Sequence, residues 1–221
     1  MNAHPDPNAG TAAFYDVYAG QLASTEASRS AMLPFFEAAL APGARVLDVG
    51  TGSGRDLAAL QELGFEVFGV EPNAAMRATA LRLRPGLAGR LVDASLPDLG
   101  RPFAAQQPDG FDAVGCSAVL MHIGPAELPL ALRSLVQQLR PARPDEAENQ
   151  RPALLLALPD MAPSLLSGDR DADGRRFHNH APAAVQALLA ELGLTLERSS
   201  INDAVLASAG TRWHMLVFRR G

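Results

Sequence analysis

The stretch Arg45-Val-Leu-Asp-Val-Gly-Thr-Gly-Ser-Gly-Arg-Asp56 decides the fold of this chain. Its first five residues are typical of a buried strand, three glycines follow at alternate positions, and a helical pattern begins at Asp56. This order places backbone N–H groups and a helix N-terminus against a ligand that carries negative charge. A dinucleotide-binding fingerprint requires its third glycine at position 55, but that residue is Arg and the third glycine is Gly54. The acid Asp48 also lies inside the strand, so the turn differs from a dinucleotide-binding turn.

Two further predicted strands end in acidic residues. The strand Glu66-Val-Phe-Gly-Val-Glu71 places Glu71 21 residues after Gly50. In doubly wound folds an acid at this position accepts hydrogen bonds from ribose hydroxyls, and its two oxygens suit a vicinal diol. The alternative is a glutamate that only caps the next helix. A third strand, Gly89-Arg-Leu-Val-Asp-Ala94, again ends beside an acid, Asp93. Both acids are therefore candidate ligand-binding residues.

Together, the glycine turn and the two acids resemble motif I and the following strands of the class I S-adenosylmethionine (SAM) dependent methyltransferases, small-molecule type. The resemblance is specific over residues 45–124 and looser elsewhere. It implies SAM as the cofactor and a contact between Asp93-Ala94 and the adenine amino group. The cofactor-binding residues that it implies are Asp48, Gly50, Thr51, Gly52, Gly54, Glu71, Pro72, Asp93, Ala94, Cys116, Ser117 and Tyr18.

Composition narrows the class of protein and of partner. The chain has 221 residues, 48% of them hydrophobic, which is enough for one sizeable α/β core. The net charge is −5 and the basic residues are not clustered, so nucleic acid is a disfavoured partner. No apolar run approaches the ~18 residues of a membrane span, and the N-terminus lacks the apolar segment of a signal peptide. The single cysteine excludes an internal disulfide, and we expect a cytoplasmic protein with no membrane partner.

The alternation of strand and helix patterns predicts the fold class. Between residues 45 and 139, apolar strands alternate with helical segments, which specifies a parallel sheet with helices on both faces. Residues 194–201 and 213–220 have strand patterns that predict a closing antiparallel hairpin. We therefore expect an α/β, Rossmann-like, doubly wound fold with a seven-stranded, mostly parallel sheet whose last strand is antiparallel. Residues 141–152 combine prolines with charges and predict an exposed inserted loop of unassigned role.

The N-terminal segment, residues 1–44, is predicted to be a helical lid on a methyltransferase domain that comprises residues 45–221. Residues 11–41 have a helical pattern, and the turn Ala41-Pro-Gly-Ala44 is a plausible hinge. In the methyltransferases that this chain resembles, a tyrosine-containing segment at this point packs over SAM. The resemblance therefore implies that Tyr18 contacts SAM and that Tyr15 contacts the acceptor substrate. The alternative is an ordinary apolar helix face with exposed tyrosine edges.

Residues that follow the fourth predicted strand should border the site of methyl transfer, because ligands lie beyond the carboxyl ends of such strands. The methyl group of SAM is already activated, so catalysis depends mainly on positioning, with proton removal where the acceptor needs it. His122 is the candidate general base, and the alternative is a structural histidine. Cys116 is disfavoured as a nucleophile because no basic residue lies near it in the sequence.

The segment Arg175-Arg-Phe-His-Asn-His180 follows the fifth strand and also faces the predicted site. Arginine recognises carboxylate or phosphate groups, and the resemblance favours a substrate role for Arg176 and His178. A solvated loop is the alternative. A metal site is disfavoured because the pair of histidines has no third Cys or His ligand nearby, and we expect no metal.

The sequence thus predicts an enzyme, a SAM-dependent methyltransferase that acts on an oxygen or nitrogen of a small molecule. Two alternatives stay open: a methyltransferase for protein or RNA, and a SAM-binding module without turnover. The sequence leaves the acceptor, the methylated atom and the oligomeric state undecided.

Overall fold

The computed structural model describes residues 6–22, 30–203 and 211–221. These residues form a seven-stranded sheet in the order β3-β2-β1-β4-β5-β7-β6. All neighbouring pairs among β1 to β5 are parallel, whereas β7 runs antiparallel to both β5 and β6. The strands are β1 (Arg45–Val49), β2 (Glu66–Val70), β3 (Leu91–Val92), β4 (Ala113–Ser117), β5 (Ala153–Met161), β6 (Leu194–Asp203) and β7 (Thr211–Arg220). The predicted fold class is confirmed.

Six α-helices surround the sheet in the described part of the chain. They are α1 (Ala9–Gln21), α2 (Leu33–Ala39), α3 (Arg55–Glu62), α4 (Ala74–Leu83), α5 (Leu128–Gln138) and α6 (Pro182–Glu191). Single 3-10 turns lie at Pro85–Leu87, Leu120–His122, Glu148–Gln150 and Pro163–Leu165. Among the described residues, no helix is long and apolar enough to cross a membrane.

The two faces of the sheet bury alternate residues of each strand. In β5, Leu154, Leu156 and Leu158 pack on the face covered by α5 and α6. The alternate residues of the strand, Ala153, Leu155 and Ala157, pack on the face covered by α2 and α3. Strands that are buried on both faces are typical of parallel sheets with helices on each side, so continuous apolar runs in the sequence were informative here.

The predicted helical region 11–41 divides into two helices with different surroundings. Its residues 23–29 lie outside the described part of the chain. Helix α2 belongs to the core, because Leu33 and Phe36 are buried and the Phe36 ring packs against Gly115 of β4. Helix α1 instead lies over the carboxyl ends of the strands, against α4 and the loop that follows β5. A lid is therefore compatible with α1 and not with α2.

The neighbours β1 and β4 form the switch point of the sheet, because the chain leaves them towards opposite edges. After β4 the backbone turns sharply at Ala118, which has a left-handed φ of 59°. The turn brings Val119 over Gly50, where a Cβ atom would lie 2.2 Å from a Val119 methyl group. Only glycine fits at position 50 because φ is +78° and there is no space for a side chain.

Candidate functional site

A cavity of about 640 Å³ opens at the carboxyl ends of β1 to β4, beneath helix α1. This is where open α/β sheets bind ligands. The residues predicted for the site that line the cavity are the cofactor-binding or substrate-binding candidates Asp48, Gly50, Thr51, Gly52, Glu71, Pro72, Ala94, Ser117, Tyr15 and Tyr18, and the candidate general base His122. Lining residues that sequence reasoning missed include Asn8, Thr11, Asp16 and Asn73.

The backbone N–H groups of the glycine turn are used inside the protein. Gly50 and Thr51 both donate to the carbonyl oxygen of Val70, at 2.9 and 3.1 Å. Gly52 donates to a carboxylate oxygen of Glu71 at 2.9 Å. The expectation that this turn presents N–H groups to an anionic ligand is therefore wrong for these three residues, since each amide already has an acceptor.

Glu71 is held at the end of β2 with both of its carboxylate oxygens oriented. One oxygen accepts from the Gly52 N–H, and the other accepts from the Asn73 N–H at 2.9 Å. The residue is 8% exposed, and burial raises the pKa of its carboxyl group despite these hydrogen bonds. Each carboxylate oxygen keeps a further lone pair, so two adjacent ligand hydroxyls can donate to it. The geometry of Glu71 thus allows it to bind a ligand while it supports the turn, and its ligand-binding role stays a prediction.

Asp48 lies at the bottom of the cavity, 8% exposed. Burial, followed by the nearby Asp56 carboxylate, raises the pKa of Asp48 to about 7. Of the described lining residues, five carry carboxyl groups, whereas Arg55 is the one arginine and pairs with Asp56 at 2.8 Å. The five are Asp6, Asp16, Asp48, Asp56 and Glu71. Such a cavity suits a cationic ligand and disfavours a pyrophosphate.

Three residues that the resemblance assigned to the cofactor do not line the cavity. Gly54 packs beneath the turn, where an added Cβ would lie 2.7 Å from a Leu87 methyl group. The Asp93 carboxylate pairs with Arg77 at 3.0 Å and is otherwise exposed. Cys116 is buried inside the sheet, and burial raises the pKa of its thiol far above the usual range. Their backbone positions still help to shape the turn and the strand ends, but the side chains of Asp93 and Cys116 lie outside the cavity.

His122 is placed by the 3-10 turn after β4 and contacts the cavity with one edge of its ring. Its Nδ1 lies 2.6 Å from the carbonyl oxygen of Arg176. Its Nε2 lies 3.2 Å from the Tyr15 hydroxyl of helix α1. Burial lowers the pKa of the imidazole, so His122 is neutral at physiological pH. A neutral, oriented histidine in a cavity is suited to accept a proton.

Arg176 and His178 do not line the cavity. The Arg176 guanidinium donates to Glu127 at 3.1 Å and to His178 Nε2 at 3.1 Å. Its charge is thus already paired, and the contribution of Arg176 to the site is its backbone carbonyl, which fixes His122. His180 is also structural, because its Nε2 lies 2.9 Å from the carbonyl oxygen of Leu120 and supports the same turn. Within the described residues, no group of three or more His, Cys, Asp or Glu side chains could hold a metal.

Helix α1 is joined to both ends of the cavity. At the Glu71 end, the Asn73 side chain donates to Asp16 at 2.7 Å. At the His122 end, the Arg176 N–H donates to the Thr11 hydroxyl at 2.8 Å. A buried side-chain oxygen at the N-cap of α1, Asn8 Oδ1, has no hydrogen-bond donor among the described residues.

Residues 22–151, more than half of the chain, match the family described as a methyltransferase domain. The chain belongs to this methyltransferase family. The predictions of the family, the enzyme class and the cofactor SAM are therefore confirmed. The roles of individual residues and the division at residue 44 stay predictions.

Curated relatives and solved structures are similar to parts or all of this methyltransferase. A ubiquinone biosynthesis O-methyltransferase of Xanthomonas campestris pv. campestris is 37% identical over 103 residues. That match covers 45% of this chain and 40% of the relative, so less than half of either protein. The magnesium protoporphyrin IX methyltransferase of Synechocystis PCC 6803, solved with SAM, aligns over 100% of both chains with a TM-score of 0.67 and 17% identity. The 1,6-didemethyltoxoflavin-N1-methyltransferase of Burkholderia thailandensis aligns over 100% of this chain and 93% of its own, with a TM-score of 0.64 and 20% identity. These two likenesses concern the fold.

Proposed function

We propose that this protein transfers the methyl group of SAM to an oxygen or nitrogen atom of a small-molecule acceptor. One observation carries the proposal: a single cavity joins the Glu71 carboxylate, held by the glycine turn, to a neutral histidine, His122, whose ring is fixed on both sides. The first feature is suited to bind the cofactor and the second to remove a proton from the acceptor.

The chemistry of the lining fits SAM. Glu71 is oriented to accept from two ribose hydroxyls, and the acidic lining favours the positive charge of a sulfonium and an ammonium group. Glycine at position 52 leaves open space in front of the turn, since an added Cβ would meet only a Met76 methyl at 3.4 Å. When bound, SAM supplies a methyl group on sulfur that is already activated, so the chain has to orient the acceptor and remove its proton.

The same lining indicates an acceptor that is neutral or cationic. The two arginines of segment 175–180, which could recognise an anionic group, are engaged, because Arg175 pairs with Asp171 at 2.7 Å and Arg176 pairs with Glu127. The unpartnered Asn8 Oδ1 would accept a hydrogen bond from a hydroxyl, an amine or the ammonium group of the cofactor. A hydroxyl or an amine is therefore a better acceptor for this cavity than a carboxylate or a phosphate.

A small acceptor is supported by the position of α1, which lies across the cavity, and by the name of the ubiquinone biosynthesis relative. We also propose that the segment before residue 44 contains a lid. In contrast to the sequence-based prediction, only helix α1 of that segment forms the lid, and α2 does not. A protein or RNA methyltransferase and a binding module without turnover remain the alternatives, and no described feature favours either of them.

The test is production of S-adenosylhomocysteine (SAH) from SAM with a panel of phenols, alcohols and amines, measured by mass spectrometry. His122→Asn should lower kcat by about 10²-fold or more if His122 removes a proton. His214→Asn, which changes a histidine on β7 outside the cavity, should retain turnover. Titration calorimetry should show binding of SAM and SAH and poor binding of NAD. Binding of SAM without turnover on the whole panel would favour the binding-module alternative.

A further inference from the structure

The hydrogen bonds of His122 define which of its ring nitrogens carries the proton. A carbonyl oxygen can only accept, so the 2.6 Å contact with Arg176 O requires a proton on Nδ1. Because the neutral ring has one N–H, the lone pair is on Nε2. Nε2 is the nitrogen that contacts Tyr15 of helix α1, 107 residues away in the chain.

The contact between Tyr15 and His122 has only one direction under this assignment. Nε2 accepts, so the Tyr15 hydroxyl donates across the 3.2 Å distance. Burial raises the pKa of Tyr15, so the phenol holds its proton at neutral pH. The single lone pair of Nε2 is therefore occupied. Tyr15 also lines the cavity, and its oxygen accepts a hydrogen bond from the Arg175 side chain, which leaves that oxygen one further lone pair.

We propose that Tyr15 is a second catalytic residue, which takes the proton of the acceptor and passes its own proton to His122. The inference rests on the proposed function. The acceptor lone pair forms the bond to the methyl carbon, and the pair of the broken carbon–sulfur bond stays on sulfur. The acceptor proton moves to the Tyr15 oxygen while the original Tyr15 proton moves to Nε2. Tyrosine is thereby regenerated and His122 becomes an imidazolium, which later returns its proton to solvent.

This arrangement makes α1 part of the catalytic apparatus as well as a cover. The 3-10 turn alone supplies His122, but the hydroxyl that bridges to the acceptor comes from α1. The same helix is anchored beside Tyr15 by the Thr11 hydroxyl, which accepts from the Arg176 N–H. The complete proton path therefore exists only when α1 is docked, so proton removal is coupled to closure of the site.

The hydrogen-bond pattern can be tested without a known acceptor. In the SAH complex at neutral pH, long-range ¹H–¹⁵N NMR should show His122 with a protonated Nδ1 and a bare Nε2. Tyr15→Phe should shift the Nε2 resonance and raise the pKa of His122, because the neutral lone pair loses its donor. Val17→Thr, an exposed position on the same helix, is the matched control and should leave both unchanged. A protonated Nε2, or a His122 signal that is indifferent to Tyr15→Phe, would overturn the proposal.

Measurements of kcat distinguish a proton relay through Tyr15 from direct removal of the proton by His122. If His122 acted directly, Tyr15→Phe would free Nε2 and kcat would be kept or increased, and the relay would be excluded. With the relay, Tyr15→Phe lowers kcat by about 10²-fold while the Kd of SAM and the melting temperature stay near those of Val17→Thr. The acceptors to use are those of the phenol and amine panel, with catechol and benzylamine included. Absence of SAH from the wild-type protein on every member would count against the proposed function, whereas the NMR result would still decide the hydrogen bond.

Discussion

At the scale of single residues, Glu71 is the side chain whose observed position agrees best with its predicted role. We expect Glu71→Gln to weaken SAM binding by about 1–3 kcal/mol, because one carboxylate oxygen and its charge are replaced by an N–H donor. Titration calorimetry at constant pH measures the change. Glu62→Gln, at an exposed position on α3, is the control. An unchanged Kd in the folded Glu71→Gln protein would leave Glu71 with a purely structural role at the turn.

Asp48 should make cofactor binding depend on pH. Its pKa of about 7 means that about half of the free protein carries a neutral Asp48 at pH 7. A cationic ligand favours the ionised form, so the affinity for SAM should rise by about tenfold or less between pH 6 and pH 8. Asp48→Asn should abolish most of this rise, and Asp98→Asn, at an exposed loop position, should not. A pH dependence that persists in Asp48→Asn would assign it to another group.

The sequence predicted which residues line the cavity better than it predicted the contacts of those residues. Asp48 and Glu71 were recognisable because a strand and a glycine turn fix their spacing locally. The pairing of His122 with Tyr15 and Arg176 was not predictable, since the partners lie 107 and 54 residues away. The ion pair of Arg176 was not predictable for the same reason, because its partner Glu127 lies at the start of α5, far away in the sequence. Asn73 had a local signal, an asparagine at the N-cap of α4.

At the scale of elements, substitutions in the glycine turn should separate two effects, the exclusion of the ligand from the cavity and the loss of the folded state. Gly52→Val should give a folded protein that binds SAM poorly, because the new side chain occupies the cavity and its own clash is limited to Met76 at 3.4 Å. Gly50→Val should not fold stably, because its Cβ would overlap Val119 at 2.2 Å. Gly64→Val reports the strain of a positive φ alone, since no atom lies within 4 Å of its added Cβ. Thermal melting and SAM titration of the three variants provide the test, and normal SAM binding by Gly52→Val would place the cofactor elsewhere.

Helix α1 should close more firmly when cofactor is bound. Few of its side chains are buried, and polar contacts such as Asp16 with Asn73 hold it over the cavity. Amides of residues 14–21 should therefore exchange rapidly in the free protein and slowly with SAH, as measured by hydrogen exchange. Asp16→Ala should speed exchange in both states, with Val17→Thr as control. Strong and equal protection with and without SAH would make α1 a fixed structural helix.

Element boundaries were predictable where apolar residues form continuous runs, as in β1, β2 and β5. The strand predicted at 89–94 shortens to Leu91–Val92, because polar residues flank two apolar ones and the strand lies at the sheet edge. The separate roles of α1 and α2 were not predictable, since both have helical periodicity and only packing decides which one enters the core. The glycine at position 115 is a local signal of a close approach to β4, but the sequence does not show that the approaching group is the ring of Phe36.

At the scale of the whole molecule, the inserted loop 141–152 is tied to the end of the sheet opposite the cavity. The buried Arg140 side chain pairs with Asp112 at the start of β4 and with Glu146 of the loop. Its Nη1 lies 3.0 Å from a Glu146 oxygen. The hydrogen bond from Arg140 lowers the pKa of Glu146. The loop is thus anchored by charge at the amino ends of the strands, whereas the ligand site lies at their carboxyl ends.

This separation predicts that stability and cofactor binding respond independently to changes in the loop. Glu146→Gln should lower the free energy of unfolding by about 1–3 kcal/mol, because a buried guanidinium loses a charged partner. Urea denaturation measures the loss, and Glu148→Gln, exposed in the same loop, should be neutral. Because the pKa of Glu146 is lowered on folding, its contribution is present above its unfolded pKa and is lost as pH falls through the folded value. The difference between wild type and Glu146→Gln should therefore shrink below about pH 4, while the Kd of SAM at neutral pH stays the same in both. A weakened SAM affinity in Glu146→Gln would show that the two ends of the sheet are coupled.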